Sequence, residues 1–125
     1  MTEQENELIQ LTQQLLNSIG SCDWETYIEL CDESLTAFEP EALGRLVHGM
    51  PFHRFYFELG PSAGTRHTTI CDPHVRVMGD VAVIAYTRLV QSCSGEADPT
   101  TSTCQETRVW QKKGEKWKHV HFHRS

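Results

Sequence analysis

No window of this 125-residue chain approaches the ~20 consecutive apolar residues that a membrane helix requires. With 38% apolar and 22% charged residues it has the composition of an ordinary soluble protein. The opening stretch, MTEQENELIQ, has neither a basic leader nor an apolar signal core, and the expectation is an intracellular, cytoplasmic setting. Positive charge is scarce: 11 Lys and Arg face 17 Asp and Glu, a net charge of −6. That balance argues against a general nucleic-acid surface, which needs clustered cations. C-x-x-C spacing is missing too. The five cysteines (22, 31, 71, 93 and 104) are odd in number and scattered, so they fit buried or half-buried thiols better than a disulfide framework. No repeat, low-complexity tract or linker divides the chain, which reads as one domain over 1–125 with residues 1–5 as a flexible start.

What is present falls into two textures. Residues 5–19 place Leu8, Leu11 or Thr12, Leu15 and Ile19 on one side at helical spacing, and Gly20 supplies a stop. Ser21 or Asp23 can cap a second, short helix in which Trp24, Tyr27, Ile28 and Cys31 share a face. After a brief extended piece, LTAFE, the segment PEALGRLVHG reads as helical, with Pro40 in the first turn, Leu43, Leu46 and Val47 inward and Gly49 at the end. FHRFYFEL is dense in aromatics and has no decisive period. From residue 67 the chain turns β-branched and aromatic. Gly79-Asp80, Ser94-Gly95 and Gly114-Glu115 stand where hairpin turns belong, predicting a four-stranded antiparallel meander. Helices first and strands afterwards make an α+β domain, with a curved sheet closing over the helices.

The terminal HVHFHRS raises the question of a metal site. Strict alternation puts His119, His121 and His123 on one side with Trp117, and Lys118, Val120, Phe122 and Arg124 on the other. A neighbouring pair, about 6.8 Å apart along the strand, can reach one zinc, but His119 and His123, about 13 Å apart, cannot share it. The sequence places no Cys or acidic ligand to complete the set, so packed, hydrogen-bonded histidines are the better reading. The arginines are more informative. Arg88 follows Ala82, Ile84 and Tyr86, Arg108 precedes Trp110, and Arg124 follows Val120 and Phe122, so three guanidinium groups point inward from adjacent strands. Buried cations need counter-charge. Either carboxylates of the same chain, such as Glu58 or Glu106, supply it, or the strands' ends leave the arginines in solvent, or the strands frame a concave site for a carboxylate or phosphate, which arginine holds in a bidentate manner. Asp23, Glu39 and Glu41 read as helix-start residues rather than an acid pair.

LTAFEPEALGRLVHGMPFHRFYFE, HTTI, PHVRVMG, IAYTRLVQ and ETRVWQKKGEKWKHVHFHRS, in this order from about Leu8 onward, closely resemble the C-terminal association (hub) domain of calcium/calmodulin-dependent protein kinase II. The resemblance implies a cone-shaped α+β fold like that of nuclear transport factor 2. In it a long N-terminal helix and short helices pack in a strongly curved antiparallel sheet. It implies assembly with itself into a closed two-ring homo-oligomer, on the order of twelve or more subunits. The sheet face with Trp117, His119, His121 and His123, and the aromatic run at Phe52 and Phe55, are the candidate subunit contacts. It also implies a cavity lined by Arg88, Arg108, Arg124, His53 and Tyr27, suited to small carboxylates or to acidic or phosphorylated peptide segments. Two features depart from the family: LGPSAGTR (59–66) is shorter than the corresponding loop and lacks its aromatic residue, and the C-terminal tail is missing. G-x-G-x-x-G, H-R-D and D-F-G are all absent, so no kinase activity, metal or cofactor is expected of this stretch, whether it is a free-standing hub or an excised domain. The alternative is a small-molecule binder, or an isomerase or dehydratase on the same cone, with His53 and Tyr27 or Tyr56 as its acid–base pair.

Overall fold

The computed structural model describes residues 1–62, 64–95 and 98–125. Helix α1 spans Glu3–Gly20. It reaches back through most of the start expected to be flexible, because Thr2 and Glu5 form a reciprocal capping box: the Thr2 hydroxyl accepts from the Glu5 N–H, and the Glu5 carboxylate accepts from the Thr2 N–H. Such a cap stabilises a helix by about 1 kcal/mol. Asp23 caps α2 (Trp24–Leu30) by accepting from the Thr26 N–H. Strand β1, Cys31–Phe38, follows directly, so Cys31 ends the helix instead of sharing its face.

The helix expected over PEALGRLVHG does not form. A single 3-10 turn, Pro40–Ala42, stops at Leu43 and Gly44, both left-handed at φ 54° and 87°. Two such residues in succession cannot continue a right-handed helix. Leu43 consequently stands 89% exposed rather than inward. Val47 is buried as expected, but in a two-residue strand, β2 (Val47–His48), paired with β1. The ambiguous aromatic run is helical: α3 spans Pro51–Glu58, with Pro51 in its first turn and His53 buried.

Four long strands complete the chain: β3 (Thr65–Met78), β4 (Val81–Cys93), β5 (Thr100–Lys113) and β6 (Lys116–Arg124). They form the expected meander, with turns at Gly79-Asp80 and Gly114-Glu115. The β4–β5 connection is longer than a hairpin turn at Ser94-Gly95, running over 94–99, and residues 96 and 97 lie outside those described. The sheet order is β2-β1-β6-β5-β4-β3, and β1 joins β6 in parallel, a pairing the sequence does not announce.

Helix α1 lies against β3 and β4, and α2 against β1 and β6. Leu8, Leu15 and Leu16 are fully buried against Leu35, Ile84 and Trp110 in one core cluster. Each such leucine contributes about 1.5–3 kcal/mol relative to exposure. Among the described residues, no helix is long and apolar enough to cross a membrane.

Two bulges decide which side chains face this core. In β3, Asp72 (φ 52°) and Pro73 stand opposite one residue of β4. In β6, Val120 is the extra residue, because Val109 pairs with His121 while Trp110 pairs with His119. An inserted residue shifts the two-residue period by one. The strand therefore turns Trp117 and His119 inward, 5% and 0% exposed, and after Val120 turns Phe122 inward while His123 is exposed. The three histidines do not share a face, and Trp117 and His119 belong to the interior of one chain rather than to a subunit contact.

Candidate functional site

The inner face of β4 carries Ala82, Ile84, Tyr86, Arg88 and Val90, and that of β5 carries Glu106, Arg108 and Trp110. Alternation thus delivers two arginines and one glutamate to the same buried layer. Glu106 is the counter-ion. It lies 3.1 Å from Arg88 Nη1 and 3.2 Å from Arg108 Nη2, and it accepts the Tyr86 hydroxyl. Burial raises the Glu106 carboxyl, but Arg108 and then Arg88 outweigh it and bring it to about 2. Glu58 plays no part: it pairs with Arg54 on the exposed side of α3.

Arg108, 1% exposed, is held on several sides. Its Nε donates to the Tyr86 hydroxyl at 2.9 Å, its Nη1 is 3.4 Å from His119 Nε2, and its guanidinium lies 4.4 Å from the centre of the Phe122 ring. Burial opposes its charge, yet Glu106 raises it well above the ordinary arginine value. Burial and then Arg108 push His119 well below its ordinary value. A neutral His119 facing a donor must accept at Nε2, which leaves its proton on Nδ1, 3.6 Å from the Cys31 sulfur. Cys31 is inert, since burial pushes its thiol up to about 12.

Beyond this cluster the layer opens into a cavity of about 430 Å³, within the range of small-ligand sites. All five residues that the family resemblance nominates line it: Tyr27 from α2, His53 from α3, and Arg88, Arg108 and Arg124 from the three strands. Tyr27 and His53 lie ring to ring at 6.0 Å. Burial, with the Cys31 thiol alongside, raises the Tyr27 hydroxyl well above its ordinary value. Burial and then Arg108 lower His53 to about 4, so it is neutral near pH 7 and a weak base.

The sequence hides three further members. Glu39 and Glu41, assigned there to helix starts, line the cavity. Glu39 makes no side-chain capping bond and lies 3.7 Å from His53 Nδ1. Burial and then the adjacent Glu41 lift it to about 7. Glu41 forms an ion pair with Arg124. Arg66 is the third. Period-two spacing from buried Thr68 was the available signal, but Arg66 is exposed and opens its strand. The connection before it is pressed so close to β4 that a Cβ on Gly64 (φ +86°) would lie 2.0 Å from the Cys93 carbonyl oxygen. Leu59, Gly60, Pro61 and Ser62 border the cavity, so this connection reaches its mouth.

Among the described residues, Arg88 Nε, His53 Nε2 and Glu39 Oε2 are buried without a hydrogen-bond partner, and all three residues line this cavity. Unsatisfied buried donors beside a cationic wall suit an anionic guest. No group of three or more potential metal ligands occurs among the described residues.

A helix-filled, curved sheet with a cavity at its open end is the nuclear transport factor 2-like architecture. A protein of that superfamily from Salmonella enterica superimposes with a TM-score of 0.77 at 20% identity, over 97% of this chain and 89% of that one. The particular branch is equally plain. The calcium/calmodulin-dependent protein kinase II association domain model matches residues 4–125, and the chain belongs to that family. It is 52% identical over 122 residues to the delta subunit of calcium/calmodulin-dependent protein kinase type II from Oryctolagus cuniculus, covering 95% of this chain and 23% of that relative's length. The association domain of the C. elegans kinase superimposes with a TM-score of 0.92 at 46% identity, over 98% of this chain and 95% of that one.

Proposed function

We propose that this chain is an assembly domain that closes into a homo-oligomer of two stacked rings, with the arginine-lined cavity as a receptor for a carboxylate. An apolar stripe on α3 and the residue that caps its end support assembly: Phe55, Tyr56 and the capping Leu59 are 59%, 40% and 69% exposed, and half-buried Phe52 continues the same helical face. Large rings left in water along one helix mark a protein contact. Phe52 and Phe55 therefore carry the interface assignment, and of the β6 residues only His121 and His123 retain it. Closed symmetry limits growth because each contact surface meets a sister subunit. Light scattering and native mass spectrometry test this. One discrete large species is expected; a chain that stays monomeric at micromolar concentration overturns it.

The unpartnered Arg88 Nε and His53 Nε2 support the receptor role. Small hydroxy acids or acidic and phosphorylated peptide segments bring the missing acceptor oxygens. Calorimetry with both ligand types should show heat that Arg108→Ala and Arg88→Ala abolish.

A further inference from the structure

The inner sheet face does not end at the cavity. Register places Arg66 opposite Ser92, with Val90 and Arg88 two and four residues back along the same face of β4. On β5, Ser102 and Cys104 stand opposite Val90 and Arg88. These residues enclose a second hollow of about 170 Å³, lined by Arg66, Arg88, Arg124, Ser102, Thr103 and Cys104 around Val90, with no carboxylate among its lining residues. Arg66, Arg88 and Arg124 also line the main cavity, so the two hollows share a cationic wall. Arg88 is 6% exposed, its Nη1 is engaged by Glu106, and its Nε has no partner. Arg66 forms no ion pair among the described residues.

We infer that this annex is a second anion subsite, and that the cavity's preferred guest is a dianion: one carboxylate seated among Arg108, His53 and Arg88, the other held by Arg66 and Arg124 over the Ser102 hydroxyl. The inference rests on the receptor role proposed above and names its ligand class. Charge balance argues for two negative groups. Arg66, Arg88, Arg108 and Arg124 line the two hollows, Glu41 and Glu39 are the carboxylates among the lining residues and Glu106 pairs with Arg88 and Arg108, so the cations outnumber the carboxylates by one with Glu39 ionised and by two with it protonated below about pH 7. A monoanion then leaves one cation unmatched. Ser102 adds a hydroxyl donor, the usual companion of arginine at an anion site.

A free dicarboxylate and a pair of acidic side chains on a peptide present the same chemistry. Calorimetry at low salt compares butyrate, adipate and a blocked Glu-Gly-Glu peptide on the assembled protein, wild type and Arg66→Ala. Arg66 is exposed, so its removal leaves the fold intact; Ser102→Glu, also at an exposed position, blocks the annex independently. Adipate or the peptide should bind at least about tenfold more tightly than butyrate, and either variant should remove about tenfold from the dianions, with Ser102→Glu, which lies outside the main cavity, leaving butyrate within about twofold. Whichever dianion binds more tightly identifies the source. Dianions no tighter than butyrate, or a Ser102→Glu variant that weakens all ligands alike, overturn the inference and leave the cavity's carboxylate role standing. Wild-type protein that binds none of the three overturns both.

Discussion

Arg108 and Arg88 sit on neighbouring strands and share one carboxylate, Glu106, yet the chain treats them in opposite ways. Around Arg108 a tyrosine hydroxyl, a neutral histidine, a phenyl ring and the carboxylate engage the guanidinium, part of which still lines the cavity. Around Arg88 one guanidinium nitrogen is engaged and Nε is buried with nothing to donate to. Arg108 lies among Trp110, His119 and Phe122 in the interior, whereas Arg88 borders both hollows. The same residue type thus anchors the cavity wall where its hydrogen bonds are made and has a donor to spare where they are not.

Removing the shared carboxylate breaks this comparison most severely. Glu106→Gln keeps the shape but leaves two buried guanidinium groups without counter-charge, and it should cost about 3–5 kcal/mol in urea unfolding. A cost below about 1 kcal/mol would mean that water already reaches Arg108. Arg88→Ala is the sharper probe. Glu106 keeps Arg108 and Tyr86, so the stability loss should be smaller, about 1–3 kcal/mol, while carboxylate affinity falls at least about tenfold.

Much of this was legible beforehand, and the failures have local causes. Arg88 and Arg108 could be placed inward because β4 and β5 keep strict alternation, and Glu106 could be nominated as a counter-ion because it stands two residues from Arg108 on the same face. In β6 the same rule failed, since one bulged residue, Val120, reverses the faces, and nothing in HVHFHRS marks it. Arg124 nonetheless lines the cavity, because the bulge precedes Phe122 and leaves the Phe122–Arg124 spacing intact. Glu39 was invisible for another reason: its burial depends on β1 running parallel to β6, a contact between residues far apart in sequence.

Acidity separates the two regions as well. Glu39 at the cavity sits near 7, above its ordinary 4.5, so the folded chain holds its proton more tightly than the unfolded one. Its contribution to stability is present below 4.5 and is lost as pH rises through about 7. Glu106 in the closed cluster sits near 2, below its ordinary value, so its contribution is present above 4.5 and lost as pH falls through about 2. Between pH 6 and 8 only Glu39 titrates of the two. Because its carboxylate repels an anionic guest, carboxylate affinity should fall several-fold across that interval, and Glu39→Gln should flatten the profile without moving the acid limb of the stability curve.

The smallest effect is expected on the outer face, where the comparison extends to the histidines. His119 is fully buried between Trp110 and Phe122, and truncating it would empty a packed, hydrogen-bonded site. His123, four residues on, is exposed, with its ring centre 5.6 Å from that of Phe38. His123→Ala should therefore leave the stability of the individual fold within about 0.5 kcal/mol. Its informative readout is mass: if the face of β6 that carries His121 and His123 is covered by a neighbouring subunit, the variant should shift the native mass spectrum towards smaller species at unchanged melting temperature. An unaltered assembly would confine the contact to α3, where Phe55→Asp should then dissociate it.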